Sequence, residues 1–235
     1  LNAAFVDIGD EKQAFVHYLD LGLYFNAFDE FVKRINPNTD AKGIYKHIKP
    51  GKILEKEGRI ENVLTPGQMI IVQIVKEPIS TKGSRLTAEI SLAGRNIVLL
   101  PFAEKVSVSQ KISSKEEKRR LETLVRSILP KNYGAIIRTA AEGKNAAVLD
   151  AEVISLIEKW ENSWKKLAKS KGVQLLFTEY SKTTTILRDL LNDSFTNVYV
   201  NNETIYEEIR KYISLISPEQ EKIVKLYKDK APIFD

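Results

Sequence analysis

Apolar and polar residues alternate in short runs over the first third of the chain, and the rhythm changes to helical spacing after Gly94. Residues 2–8 and 13–18 alternate with a two-residue period on either side of Gly9-Asp10-Glu11-Lys12, which predicts two strands joined as a β-hairpin. Over 68–76 the same period puts Ile70, Val72 and Ile74 on one strand face and Met69, Ile71, Gln73 and Val75 on the other. Residues 77–83 turn the chain, and 85–91 returns as a further strand. Between the hairpin and these strands the pattern is less regular. Phe25, Phe28, Phe31, Val32 and Ile35 predict a short amphipathic helix, followed by a loop through Asn36-Pro37-Asn38 and Lys49-Pro50-Gly51. The stretch of about 20–64 therefore reads as a loop insertion between strands. Short strands divided by turn signals suit a small OB-fold barrel.

Beyond Gly94, strands alternate with helices. The apolar run Ile97-Val-Leu-Leu100 predicts a buried strand over 96–102, stopped at Pro101. Ser113 and Ser114 stand three residues before Glu116 and Glu117, the spacing of a capping box. Leu121, Leu124, Val125, Ile128 and Leu129 give the following helix its apolar face until Pro130. Gly134-Ala-Ile-Ile-Arg-Thr139 predicts a strand with Ala135, Ile136 and Ile137 buried. A long helix over about 146–171 carries Leu149, Val153, Leu156, Ile157, Trp160, Trp164 and Leu167 at helical intervals, which assigns both tryptophans to a core or an interface. A strand at 173–178, a helix at 183–191, a strand at 197–200, a helix at 203–216 and a strand at 222–227 continue the alternation. Such a pattern predicts an α/β layer, with helices packed on a parallel or mixed sheet.

Composition narrows the chemistry. The chain has 235 residues, no cysteine and two histidines, His17 and His47. Disulfides, thiolate metal sites and cysteine nucleophiles are excluded, and little remains for imidazole chemistry. His17 follows Phe15 on the same strand and reads as a surface residue. No apolar run approaches membrane-spanning length and no signal-peptide pattern opens the chain, so a cytoplasmic protein without membrane contact is expected. A net charge of +5 permits an anionic partner without demanding one. Leu1 opens inside a strand-like run and Ala231-Pro-Ile-Phe-Asp235 resembles a linker, which predicts a fragment of a longer protein.

Two places carry candidate chemistry. Arg138 and Thr139 follow a buried strand, where a guanidinium fork and a hydroxyl could meet a phosphate together. Taken alone, the pair favours an ordinary strand end with a solvated arginine. Phe5 and Phe15 fall on adjacent hairpin strands with Lys12 and His17 nearby. Exposed, they would stack unpaired bases between phosphates held by lysines; pattern alone favours both rings in the core. No carboxylate group forms a convincing metal site. Asp7, Asp10 and Glu11 suit a solvated turn, and Asp150 and Glu152 suit the first turns of a helix, where they complement its dipole. Gly143-Lys144 lacks the glycine spacing and the Ser or Thr of a phosphate-binding loop.

Several strings, in order along nearly the whole chain, resemble the ribonuclease E/G family of bacterial endoribonucleases. They are Ala3-Ala-Phe-Val-Asp-Ile-Gly9, Thr65-Pro-Gly-Gln-Met-Ile-Ile-Val-Gln73, Lys82-Gly83, Ile90-Ser-Leu-Ala-Gly94, Ile136-Ile-Arg-Thr-Ala140 with Gly143-Lys144, and Lys225-Leu-Tyr227 with Pro232-Ile-Phe234. The resemblance implies a fold of the α/β plus β-barrel class, a ribonuclease-H-like α/β subdomain with an inserted S1-type OB-fold. Residues 1–91 correspond to the S1-type domain, incomplete at its N-terminus, and 92–235 to the ribonuclease-H-like and 5′-sensor part.

The same resemblance implies single-stranded RNA as the partner, gripped at Phe5, Phe15 and Lys82, with Lys12 added from the hairpin. It also implies a pocket for an RNA 5′-monophosphate at Arg138, Thr139, the backbone around Val98 and the loop glycine Gly94, which reverses the isolated reading of the arginine. The family's arginine before the first long helix is replaced by Gln110, with Lys111 beside it. Catalytic residues and Mg²⁺ are expected in a domain outside this chain, which should be inactive alone, and the parent is expected to be a homo-oligomer. A non-enzymatic OB-fold adaptor for RNA or for another protein is the alternative.

Overall fold

The computed structural model describes residues 2–49, 53–179, 181–192, 194–229 and 231–233. Leu1, residues 50–52 of the predicted loop, and residues 234–235 of the predicted linker lie outside them. The chain divides into two compact units, Leu1–Phe177 and Thr178–Asp235.

The first unit opens with β1 (Ala3–Val6) and β2 (Ala14–His17), the predicted hairpin. Asp7 closes its turn by accepting the Gly9 amide at 2.9 Å, and Gly9 takes a φ of 83°, which a side chain would resist. Helices α1 (Phe25–Arg34) and α2 (Ala41–His47) follow. The first is amphipathic as its phenylalanine spacing predicts, with ion pairs Lys33–Asp29 and Arg34–Glu30 along its polar side. The second forms where the Pro- and Asn-flanked pattern predicts a loop, because Tyr45 gives it a large apolar anchor. Strands β3 (Gln73–Lys76) and β4 (Arg85–Thr87) complete a four-stranded sheet in the order β1-β2-β4-β3. Its inner face buries Ala14, Val16 and Leu86 with Tyr18, Leu21 and Ile60, and Ala4 and Val6 pack partly buried against them.

Strand β3 is shorter than the alternation predicts. It is an edge strand, its register slips between Ile74 and Lys76, and Ile74 and Val75 are left exposed. The predicted strand at 85–91 is likewise shortened, to β4: the chain then leaves this sheet, and β5 (Leu92–Ala93) begins another.

That second sheet holds β5, β6 (Ile97–Pro101), β7 (Val106–Val108) and, after α3 (Lys115–Ile128), β8 (Tyr133–Ile137). Its order is β5-β6-β8-β7, antiparallel except for the parallel pair of β7 with β8. Ser114 caps α3 by accepting the Glu117 amide, as the capping spacing predicts. The long helix α4 (Ala146–Lys169) lays Leu149, Val153, Leu156, Trp160 and Trp164 into the core. There they meet Phe28 and Phe31 of α1, Tyr45 of α2 and Phe102 at the end of β6. Tyr45 stacks at 4.4 Å from Phe102 and 5.0 Å from Trp164, so the helices of the 20–64 stretch are core elements of this layer. Both tryptophans are buried, as their helical spacing predicts.

Asn132 joins the layers. Its side-chain amide donates to the carbonyls of Tyr45 and Ile48 at 2.8 and 2.9 Å, while its backbone carbonyl accepts from Tyr45 Oη and the Phe102 amide. Asparagine suits this position because its φ is 67°, a left-handed conformation that it tolerates better than most residues.

The second unit consists of α5 (Lys182–Leu190), β9 (Val198–Val200), α6 (Glu203–Ile216) and β10 (Val224–Leu226). The two strands pair in parallel, and Leu187, Leu191, Ile209, Tyr212 and Ile213 form its core with Val200 and Val224. The predicted strand at 173–178 is irregular, with Val173 and Leu175 exposed, because an apolar run becomes a strand only where a neighbour offers a ladder. The architecture is thus mixed α/β, with small sheets and six α-helices among the described residues.

Candidate functional site

Arg138 and Thr139 sit where β8 leaves its sheet. Backbone pairing with β6 continues one step beyond the strand, the Arg138 amide donating to Asn96 O at 2.8 Å. Inward positions of β8 are Ala135 and Ile137, whereas Ile136 is 41% exposed. The expectation that Ile136 is buried therefore fails: only one side of this sheet is covered by the core, and the two-residue period turns Ile136 and Arg138 to the other. Val98 pairs with Ile136 across β6, and Ser107 pairs with it across β7. Sheet pairing thus brings Val98, Ile136, Arg138 and Ser107 onto one outward face although they come from three separate strands.

The guanidinium of Arg138 donates through Nη1 to Gly94 O at 2.9 Å. Gly94 in turn donates its amide to Ile97 O at 2.8 Å, closing a tight turn before β6. Thr139 begins a short 3-10 turn over Thr139–Ala141, and its hydroxyl lies 3.1 Å from that of Ser109. Ser109 also accepts the Lys111 amide at 3.3 Å, so the loop bearing Gln110 and Lys111 comes up beside Thr139. Arg138, Thr139 and Gly94 form one cluster, with Val98 on the adjoining strand. Ser109 joins it without any signal in the sequence, since the parallel pairing of β7 places it there.

Two carboxylates support this cluster from behind. Glu152, on α4, accepts from the backbone amides of Arg95 and Asn96. Burial pushes its carboxyl above the usual range, opposed by these amides and by Arg138 nearby. Its place on the second turn of a helix suggested a dipole partner; only the fold reveals that it reaches across to another turn. Glu117, on α3, accepts from Gly143 N at 2.8 Å and makes a two-pronged pair with Arg120, whose Nη2 also donates to Lys144 O at 3.0 Å. The loop after Thr139 is thereby tied to the first turns of α3.

Arg120, with the Gly143 amide, holds the Glu117 carboxyl down at about 2, against an ordinary 4.5. A depressed carboxyl stabilises the fold fully above its unfolded value and loses that contribution as pH falls through its folded one. Glu117→Gln should therefore be less stable than the unmutated chain at neutral pH, with the gap closing between about pH 4.5 and pH 2. Urea unfolding at stepped pH measures this; a gap independent of pH would mean that the charge of Glu117 does not anchor the loop.

The first sheet presents the second candidate surface. Phe5 and Phe15 are direct cross-strand partners on its outer face. Phe5 is 76% exposed and Phe15 is partly exposed, so neither belongs to the core that pattern alone favours. The small inward residues Ala4, Val6, Ala14 and Val16 fill that side instead. His17 stands edge-on to Phe15 at 5.4 Å, on the surface as its position predicts. Arg85, beside Phe15 on β4, is fixed by a two-pronged pair with Asp20 at 2.9 and 3.0 Å. Lys12 donates to Ser80 O, which brings the hairpin turn against the turn that carries Lys82. Both lysines are exposed at this end of the sheet.

Among the described residues no group of three His, Asp or Glu side chains could hold a metal ion, and no helix is long and apolar enough to cross a membrane. Comparison with known proteins gives the class. Residues 91–235 match the sequence model of the Ribonuclease E/G family, and the chain belongs to that family. Over its whole length it is 32% identical to Ribonuclease G of Escherichia coli (strain K12) and 32% identical to Ribonuclease G of Haemophilus influenzae, covering 44% of each. It is 30% identical to Ribonuclease E of Nostoc sp., covering 31% of that protein. The chain thus spans less than half the length of these curated relatives.

Proposed function

We propose that this chain is the RNA-holding and 5′-end-sensing region of a ribonuclease E/G-type endoribonuclease. Single-stranded RNA lies across Phe5 and Phe15 with its phosphates near Lys12 and Lys82, and a 5′-monophosphate is bound by Arg138 and Thr139 against the Gly94 turn and Val98. In this reading the first sheet belongs to an S1-type OB-fold, and the rest to the 5′ sensor and a ribonuclease-H-like subdomain. Cleavage, with its expected Mg²⁺, is assigned to the part of a cytoplasmic, homo-oligomeric parent outside these 235 residues.

The observation that carries the reading is the junction of Arg138 with Gly94, 44 residues apart in sequence and 2.9 Å apart through a hydrogen bond. The hydrogen bond seats the guanidinium at the Gly94 turn, the hydroxyls of Thr139 and Ser109 stand on the adjoining strand ends, and a guanidinium fork matches an anion in geometry and charge. An arginine and two hydroxyls gathered at the ends of neighbouring strands suit a terminal phosphate. The test compares one short RNA carrying either a 5′-monophosphate or a 5′-hydroxyl. Tighter binding of the phosphorylated end supports the sensor, and equal affinities would sink it. Binding to both ends above background, but with no difference between them, would instead favour a sequence-tolerant RNA adaptor.

A further inference from the structure

We infer that Glu152 is the positioning residue of the 5′-phosphate site, holding the Gly94–Asn96 turn in the shape that seats Arg138. The inference rests on the 5′-end reading for its functional meaning, and on backbone geometry for its mechanism. One carboxylate oxygen, Oε1, accepts from both the Arg95 and the Asn96 amides, the latter at 3.1 Å, where Oε2 also stands at 3.1 Å. These amides belong to the turn before β6. Gly94 lies flat against the same carboxylate: a Cβ there would collide with Glu152 Oε1 and stand 2.8 Å from Ile97 O. Its carbonyl is consequently aimed at Arg138 Nη1.

The chain of contacts is therefore short and directional. Glu152 fixes two amides, the turn fixes the Gly94 carbonyl, and that carbonyl fixes the guanidinium. The Glu152 carboxylate is engaged by the Arg95 and Asn96 amides, and its negative charge would oppose a phosphate. Its contribution is the shape of the turn. Because a glutamine carbonyl oxygen can accept both amides from the place of Oε1, shape and charge are separable by mutation.

The experiment uses the 235-residue chain and its Glu152→Ala, Glu152→Gln and Gly94→Ala variants. Two quantities are measured: hydrogen exchange of the Arg95 and Asn96 amides, and affinity for one short RNA with a 5′-monophosphate or a 5′-hydroxyl. Glu152→Ala should speed exchange at both amides by about tenfold, the equivalent of one lost hydrogen bond, and reduce the preference for the phosphorylated end by a similar factor. Glu152→Gln should stay within about twofold of the unmutated chain on both measures. Gly94→Ala, whose Cβ would press on the same carboxylate and on Ile97 O, should lose the preference as Glu152→Ala does. Retention of the preference in Glu152→Ala would overturn the inference, and so would equal damage by Ala and Gln, which would assign the effect to charge. Should the unmutated chain show no preference, the 5′-end reading fails. The exchange data then decide alone whether Glu152 orders the turn.

Discussion

Replacing both Phe5 and Phe15 by alanine should weaken binding of single-stranded RNA by about 1–3 kcal/mol for each stacked base that is lost, so that two platforms together amount to several tenfold steps in affinity. The magnitude follows from where the rings are. Phe5 is 76% exposed and stands directly opposite Phe15, so a base laid on either ring buries apolar surface that is otherwise wet. The fold should tolerate the change, because the buried face of these strands is made by Ala4, Val6, Ala14 and Val16. Fluorescence anisotropy with an unstructured RNA measures the effect, and urea unfolding checks the fold. Unchanged affinity in folded double variants would mean that RNA does not cross this sheet. Phosphate contacts at Lys12 and Lys82 should appear separately, as a shallower dependence of affinity on salt when either is replaced.

Arg138→Ala should erase the difference between 5′-phosphorylated and 5′-hydroxyl RNA while leaving the affinity of the hydroxyl form nearly unchanged. Hydrogen bonds to a charged group are worth about 1.5–3 kcal/mol each way of making them, which is roughly a tenfold to hundredfold preference at stake. Lysine should recover only part of it, since an ammonium supplies the charge but cannot hold Gly94 O and a phosphate in one plane. The measurement is the ratio of the two affinities in each variant. A ratio that survives in Arg138→Ala would move the phosphate site elsewhere, with the loop of Gln110 and Lys111 beside Thr139 as the next place to look.

The two predictions act on different surfaces, and their combination discriminates between mechanisms. If the aromatic face lays the strand down and the Arg138 cluster reads its end, losing one should not abolish the other. Both losses together should bring binding down to what the net charge of +5 supplies without specificity.

Much of the fold is legible in the local sequence pattern. The hairpin, α1, the cap of α3, the reach of α4 and α6, and the burial of both tryptophans all follow from local spacing, because each depends on residues within a turn or two of one another. The resemblance to the ribonuclease E/G family points to Arg138, Thr139, Phe5, Phe15 and Lys82, where local pattern by itself favours a solvated arginine and two core rings. Elsewhere the local pattern misled. An apolar run at 173–178 has the composition of a strand and forms none, and Tyr45 anchors a helix in a segment with the punctuation of a loop.

The sequence by itself determined which groups are available: an arginine and a threonine after an apolar strand, two phenylalanines on a hairpin, and no cysteine. Only the tertiary structure decided which of them meet and which face water. Periodicity says that Phe5 and Phe15 share a face, but which face is covered depends on what packs beneath it, here Ile60 and the segment from Tyr18 to Phe25. It likewise says nothing of Glu152, whose partners at Arg95 and Asn96 lie more than 50 residues away and are backbone amides, groups that every sequence contains and none can single out.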